Sequence, residues 1–67
     1  METTYDIVFN DDENSNSKGF ALSFTDAKKY IERYNGTGES YFKDYKNGTV
    51  SIVCNQTGEV AFETGVI

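Results

Sequence analysis

The sequence predicts a small α+β domain: an antiparallel sheet of four strands, or five, with one helix packed on one face, in the order β-(β)-α-β-β-β. Three observations predict it. Val50-Ser51-Ile52-Val53-Cys54 is the most apolar and β-branched run, with turn residues on each side, Asn47-Gly48 and Asn55-Gln56-Thr57-Gly58. A strand bounded in this way pairs on both sides and reads as the centre of an antiparallel meander. Ala27, Tyr30, Ile31 and Tyr34 recur at i, i+3, i+4 and i+7, which draws one apolar stripe along a helix. The chain is 67 residues long, so residues 1–67 form one domain near the low end for unaided folding, with room for two layers.

Tyr5-Asp6-Ile7-Val8-Phe9 alternates with period two and predicts a half-buried strand. Asn10 to Ser17 has no apolar residue and predicts a loop. Phe20-Ala21-Leu22 alternates briefly and is the optional extra strand. Ser23 to Asn35 predicts the helix. Ser23 caps it, with Asp26 three residues on as a short capping box, and Leu22 can staple onto Ala27. Gly36 ends it, because glycine tolerates the left-handed conformation there. Lys28, Lys29, Glu32 and Arg33 lie on its polar side and read as a solvated face.

Tyr41 to Tyr45 predicts a further strand, turning at Asn47-Gly48 in a type I′ hairpin. That hairpin would pair Tyr45 with Val50 and Lys43 with Ile52. After the central strand, a plain four-residue loop would put Ile52 and Phe62 on opposite faces. A bulge at Gly58 would instead place Val50, Ile52, Cys54, Val60 and Phe62 together on the helix side. The bulged register keeps the apolar set together and is the expected one. The other face would then carry Phe42, Asp44, Ser51, Val53, Ala61 and Glu63. With one helix available, its apolar members Phe42, Val53 and Ala61 would lack cover.

Five Phe and five Tyr supply much of the core, since each aromatic ring can bury about 150–250 Å². The net charge is −5, and it is segregated. Glu2, Asp6, Asp11, Asp12 and Glu13 precede the first base, whereas residues 18–67 are balanced. This distribution disfavours unaided binding to nucleic acid or to a membrane surface. It suits a protein partner with a basic face. A single cysteine rules out an internal disulfide. No leader pattern opens the chain and no apolar run approaches a membrane span, so a cytoplasmic location is expected. Three Asn-x-Thr sequons, at Asn35, Asn47 and Asn55, read as turn chemistry.

Catalytic chemistry is sparse. With no histidine, the commonest general base and metal ligand is missing. Cys54 alternates into the core face without an activating base and reads as a buried structural thiol. Asp12-x-Asn14-x-Asn16 starts like a calcium loop, then fails where Ser17 replaces the glycine and Ser23 the bidentate glutamate. Gly36-Thr37-Gly38 follows a helix and lacks the glycine and lysine spacing of a phosphate loop. No catalytic residue, metal or cofactor is expected.

A non-enzymatic protein-interaction module is therefore the expected function, including a small acidic inhibitor or regulator of a basic partner, as small acidic phage-encoded proteins can be. Its contact would be Phe42, Val53 and Ala61, with Asp11, Asp12 and Glu13 steering the approach. Two alternatives are a single-stranded nucleic-acid-binding domain stacking bases on the Tyr41–Tyr45 strand, and a homo-oligomeric structural protein covering its outer face by symmetry.

Overall fold

A computed structural model describes residues 3–11 and 14–67, with Ser40 described by its backbone alone. Strand β1 is Tyr5–Asn10 and β2 is Ser15–Ser17. Helix α1 is Phe24–Tyr34, and a 3₁₀ turn covers Ser40–Lys43. Strands β3, Thr49–Cys54, and β4, Val60–Gly65, complete the set. The sheet is antiparallel, in the order β2-β1-β3-β4. The α+β class, the lone helix and the number of strands match the sequence expectation.

The central strand is central, but its neighbour differs from the expected one. β3 pairs with β1 along its whole length, with Tyr5 opposite Cys54, Ile7 opposite Ile52 and Phe9 opposite Val50. The chain returns beside its first strand after α1, so the sheet is not a consecutive meander. Ile7, Phe9, Val50 and Ile52 are fully buried, and they meet Ala27 and Ile31 of α1. Burying one such side chain contributes roughly 1.5–3 kcal/mol.

Residues 41–45 do not form a strand. Phe42 and Tyr45 both rest on Phe9, with ring centroids 5.0 and 5.2 Å away. Two residues three apart point to opposite faces of a strand. In a 3₁₀ turn, with three residues per revolution, they eclipse. Phe9 can therefore gather both rings only if the segment coils. Backbone bonds of the matching span hold it: Phe42 N–H to Glu39 O, Asp44 N–H to Tyr41 O and Gly48 N–H to Tyr45 O. The expected type I′ hairpin is absent, because Asn47 has positive φ (73°) and Gly48 does not.

The second strand also lies elsewhere. Ser15–Ser17 pairs with β1, inside the segment that predicts a loop. It has no apolar residue to reveal it, and side chains help to hold it. Ser15 Oγ donates to Asn10 Oδ1, and Ser17 Oγ donates to the Asp6 carboxylate. Phe20-Ala21-Leu22 is not a strand. Leu22 alone exchanges two backbone bonds with Tyr5, at 2.7 and 3.0 Å.

Helix α1 follows its sequence signals closely. Ser23 Oγ accepts from the Asp26 N–H at 3.1 Å. Ala27 and Ile31 are buried, with Tyr30 and Tyr34 packed beside them. Gly36 takes φ +85° directly after the Asn35 cap. Asn35 adds a clamp, since its Nδ2 donates to Gly65 O and its Oδ1 accepts from the Ile67 N–H. Ser23→Ala is expected to cost about 1 kcal/mol, through an orphaned first-turn amide. A urea midpoint lowered with an unchanged slope would check this.

The β3–β4 hairpin keeps Ile52 opposite Phe62, as expected, and it contains a bulge. The bulge is at Ala61, not at Gly58. The register steps from Ile52–Phe62 to Val53–Val60, and the Cys54 N–H bonds to Glu59 O. Gly58 serves the loop instead, with φ +78°. The extra residue on β4 moves Val60 out of register with Cys54. Val60 therefore leaves the apolar set and is 58% exposed.

Candidate functional site

The helix, the 3₁₀ turn and Val66 pack on the Ile7–Ile52 side of the sheet. By alternation, Asp6, Val8 and Asn10 of β1 share the reverse side with Thr49, Ser51 and Val53 of β3 and Glu63 of β4. The expected contact residues Phe42, Val53 and Ala61 do not form a patch there. Phe42 is 1% exposed and belongs to the core, because coiling turns its ring onto Phe9. Val53 is half-buried between Asp6 and Val60. Ala61 is the exposed bulge residue.

The reverse side is instead crossed by a chain of polar side chains. Ser15 Oγ donates to Asn10 Oδ1 at 2.5 Å. Asn10 Nδ2 donates to Ser51 Oγ at 3.3 Å, and Ser51 Oγ donates to Glu63 Oε2 at 3.0 Å. One side chain from each strand takes part. Ser51 is 2% exposed, so its hydroxyl needs both partners. Beside this chain, the Asp6 carboxylate accepts from the N–H groups of Ile7 and Phe20, each at 2.8 Å, and from Ser17 Oγ. It fastens the segment after β2 to the sheet. Among the described residues, every buried side-chain nitrogen and oxygen has a hydrogen-bond partner. These polar groups hold one another and leave no buried group directed at a ligand.

What remains at the surface is the start of β4. Val60 and Ala61 are exposed beside Val53, on a strand whose only partner among the described residues is β3. The sequence points to Val53 and Ala61 but assigns Val60 to the core, since nothing in the residue pattern locates the bulge one step before Phe62.

Asp11 is exposed in the β1–β2 turn, where its Oδ1 accepts from the Asn14 N–H at 2.8 Å. Asp12 and Glu13 lie outside the described residues. Asn16, from the calcium-like spacing, is part of β2. Among the described residues no cluster of three His, Cys, Asp or Glu could hold a metal.

Cys54 is a buried free thiol, with Sγ 3.7 Å from Gln56 Oε1. The Thr57 side chain, then the Thr57 backbone, hydrogen-bond the sulfur and hold its pKa below the ordinary thiol value, against burial and the nearby Glu59.

The aromatic rings of 41–45 are engaged with the protein itself. Phe9 touches Tyr41, Phe42 and Tyr45. Lys18 Nζ lies 4.5 Å from the Tyr41 centroid and 5.0 Å from that of Tyr45, and donates to the Tyr45 hydroxyl at 3.2 Å. The cation–π contacts engage Lys18 with both rings.

No protein-family model matches this chain, and comparison with curated proteins and with solved structures finds no match. Among the described residues no helix is long and apolar enough to cross a membrane.

Proposed function

We propose that this chain is a non-enzymatic protein-interaction module that receives a partner along the free edge of β4. The observation that carries this is Val60, 58% exposed at the start of an edge strand. An unpaired strand edge presents a row of backbone donors and acceptors, and proteins usually blunt such edges with lysine, proline or a bulge. β4 has no lysine or proline. Its bulge at Ala61 leaves Phe62 to Gly65 in regular register, and the Asn35 amide caps the Gly65 carbonyl, so the open stretch ends at Thr64. The opposite edge, β2, is three polar residues long and makes a poorer template. An extended partner segment adding to β4 would gain backbone bonds, with Val60, Ala61 and Val53 receiving an apolar side chain. The excess of acidic residues at the start of the chain favours a partner with a basic face.

Val60→Lys is expected to abolish partner capture in a pull-down while barely moving the melting temperature, because the side chain is exposed. Capture of the same proteins by wild type and variant would refute the reading. A second copy of the chain offers the same β4 edge, which makes a homo-oligomer the second reading. Sedimentation distinguishes the two: a concentration-dependent dimer that Val60→Lys disperses favours self-pairing, and a wild-type monomer at high micromolar concentration excludes it.

A further inference from the structure

The phase of the backbone bonds determines which groups of β4 face the open edge. In an antiparallel pair, opposed residues alternately exchange both of their backbone bonds and neither. Tyr5 exchanges both of its bonds with Leu22, so it exchanges none with Cys54, its partner on β3. Three pairs further along, Val8 and Ser51 are therefore of the bonded kind, and the Ser51 N–H and carbonyl point at β1. They are turned away from Glu63, which faces Ser51 on β4. The Glu63 N–H and carbonyl consequently point away from β3, toward the open edge. The far end of the strand agrees. Gly65 has the same phase as Glu63, and its carbonyl accepts from Asn35 Nδ2 at 3.0 Å instead of bonding Thr49. Phe62 and Thr64 have the other phase and turn their backbone groups toward β3.

An added strand must then form its bonds at Glu63, and the residue that does so lies directly opposite the Glu63 side chain. That side chain is exposed and lies on the reverse side of the sheet. Ser51 Oγ donates to its Oε2 at 3.0 Å, which holds the carboxylate against the sheet. Opposite charges facing one another across a strand pair stabilise it, and like charges destabilise it. The helix side of the same edge has the reverse sign, because Lys28 Nζ lies 4.9 Å from the Phe62 ring centroid. A base on the incoming strand is therefore favoured on one side only. Two positions later on an antiparallel partner, on the side of that base, the next side chain reaches the exposed Val60 and Ala61 beside Val53.

We infer that β4 receives an extended segment running antiparallel to it, with a lysine or arginine opposite Glu63 and an aliphatic residue two positions later against Val53 and Val60. This rests on the reading of β4 as the docking edge and adds the chemistry that selects the partner. It also disfavours a second copy of the chain as the occupant. Two β4 strands paired about Glu63 would set two carboxylates face to face.

The test is a titration of the isotopically labelled full chain, followed by amide NMR at low, constant ionic strength. The probes are two acetylated and amidated peptides, Thr-Thr-Arg-Thr-Ile-Thr-Thr and its counterpart with Glu in place of Arg. Saturating shifts centred on Glu63 are expected with the Arg peptide, which should bind about fivefold more tightly than the Glu peptide. Glu63→Gln keeps an oxygen for the Ser51 hydroxyl and removes the charge. It should erase the difference between the peptides while the shifts stay on β4. Equal affinity of the two peptides for the wild type, or a preference that survives in Glu63→Gln, would overturn the charge pairing and leave β4 as a docking edge. Shifts that avoid β4 with both peptides would overturn the pairing and the docking edge together.

Discussion

Phe42→Ala is expected to unfold most of the chain at room temperature. The ring is 1% exposed. It meets Phe9 edge-on at 5.0 Å and Tyr30 at 5.9 Å. Truncating a buried phenylalanine costs about 3–5 kcal/mol, from lost transfer energy and the cavity left behind. At about 0.05–0.15 kcal/mol per residue, a chain of 67 residues has a stability of comparable size. Circular dichroism with urea titration would show the loss as a midpoint near zero denaturant. Tyr41→Ala, at a neighbouring ring that is 40% exposed, should cost a fraction of this. A Phe42→Ala protein that melts like wild type would put residue 42 outside the core and restore it to the surface patch that strand alternation predicts.

Gly48→Ala should be the most damaging change at any glycine of the chain. A Cβ built there lies 2.2 Å from the Asn10 carbonyl oxygen and 3.1 Å from that of Tyr45. Both obstacles are backbone atoms, so no side chain can swing aside. The glycine is required for space, since its φ is not positive. Accommodation must separate the Asn10–Thr49 end of the β1–β3 pair and disturb the bond from the Val66 N–H to Gly48 O. Overpacking of this kind costs about 1–3 kcal/mol and can cost more. Gly38→Ala, with positive φ but open space around it, should cost less. Hydrogen exchange at the Val66 amide would report the difference: faster exchange in Gly48→Ala, with protection retained in Gly38→Ala. Equal exchange in the two variants would show that the turn yields without strain.

The parts of the fold legible in the sequence are those whose signal is local and repeated. Helix α1 shows its stripe, its Ser23 cap and its Gly36 stop within a dozen neighbouring positions. β1 and β3 show alternation or a β-branched run bounded by turns. The Ile52–Phe62 pairing follows from keeping apolar side chains together. The illegible parts are set by distant residues. Residues 41–45 alternate as well as many strands do, and only the Phe9 ring across the sheet determines that Phe42 and Tyr45 must point the same way. β2 has no pattern because serine and asparagine side chains, with backbone bonds, do the holding. The candidate contact was half legible for the same reason. Val53 and Ala61 follow from alternation, whereas Val60 reaches the surface through a bulge that no turn residue marks.

Pairing of the first strand with the third has a consequence for synthesis. Asn10 and Ser51, bonded across that pair, are 41 residues apart in the chain. As the polypeptide leaves the ribosome, β1 emerges early, yet its main partner is not available until residue 54 has cleared the exit tunnel. Until then Ile7 and Phe9 can meet α1 and the rings of residues 41–45, but β1 lacks the strand that pairs along its whole length. Loop closure over that separation must precede most of the stabilising contacts, which slows folding. The domain should therefore acquire protease resistance in a single late step, once β3 has docked.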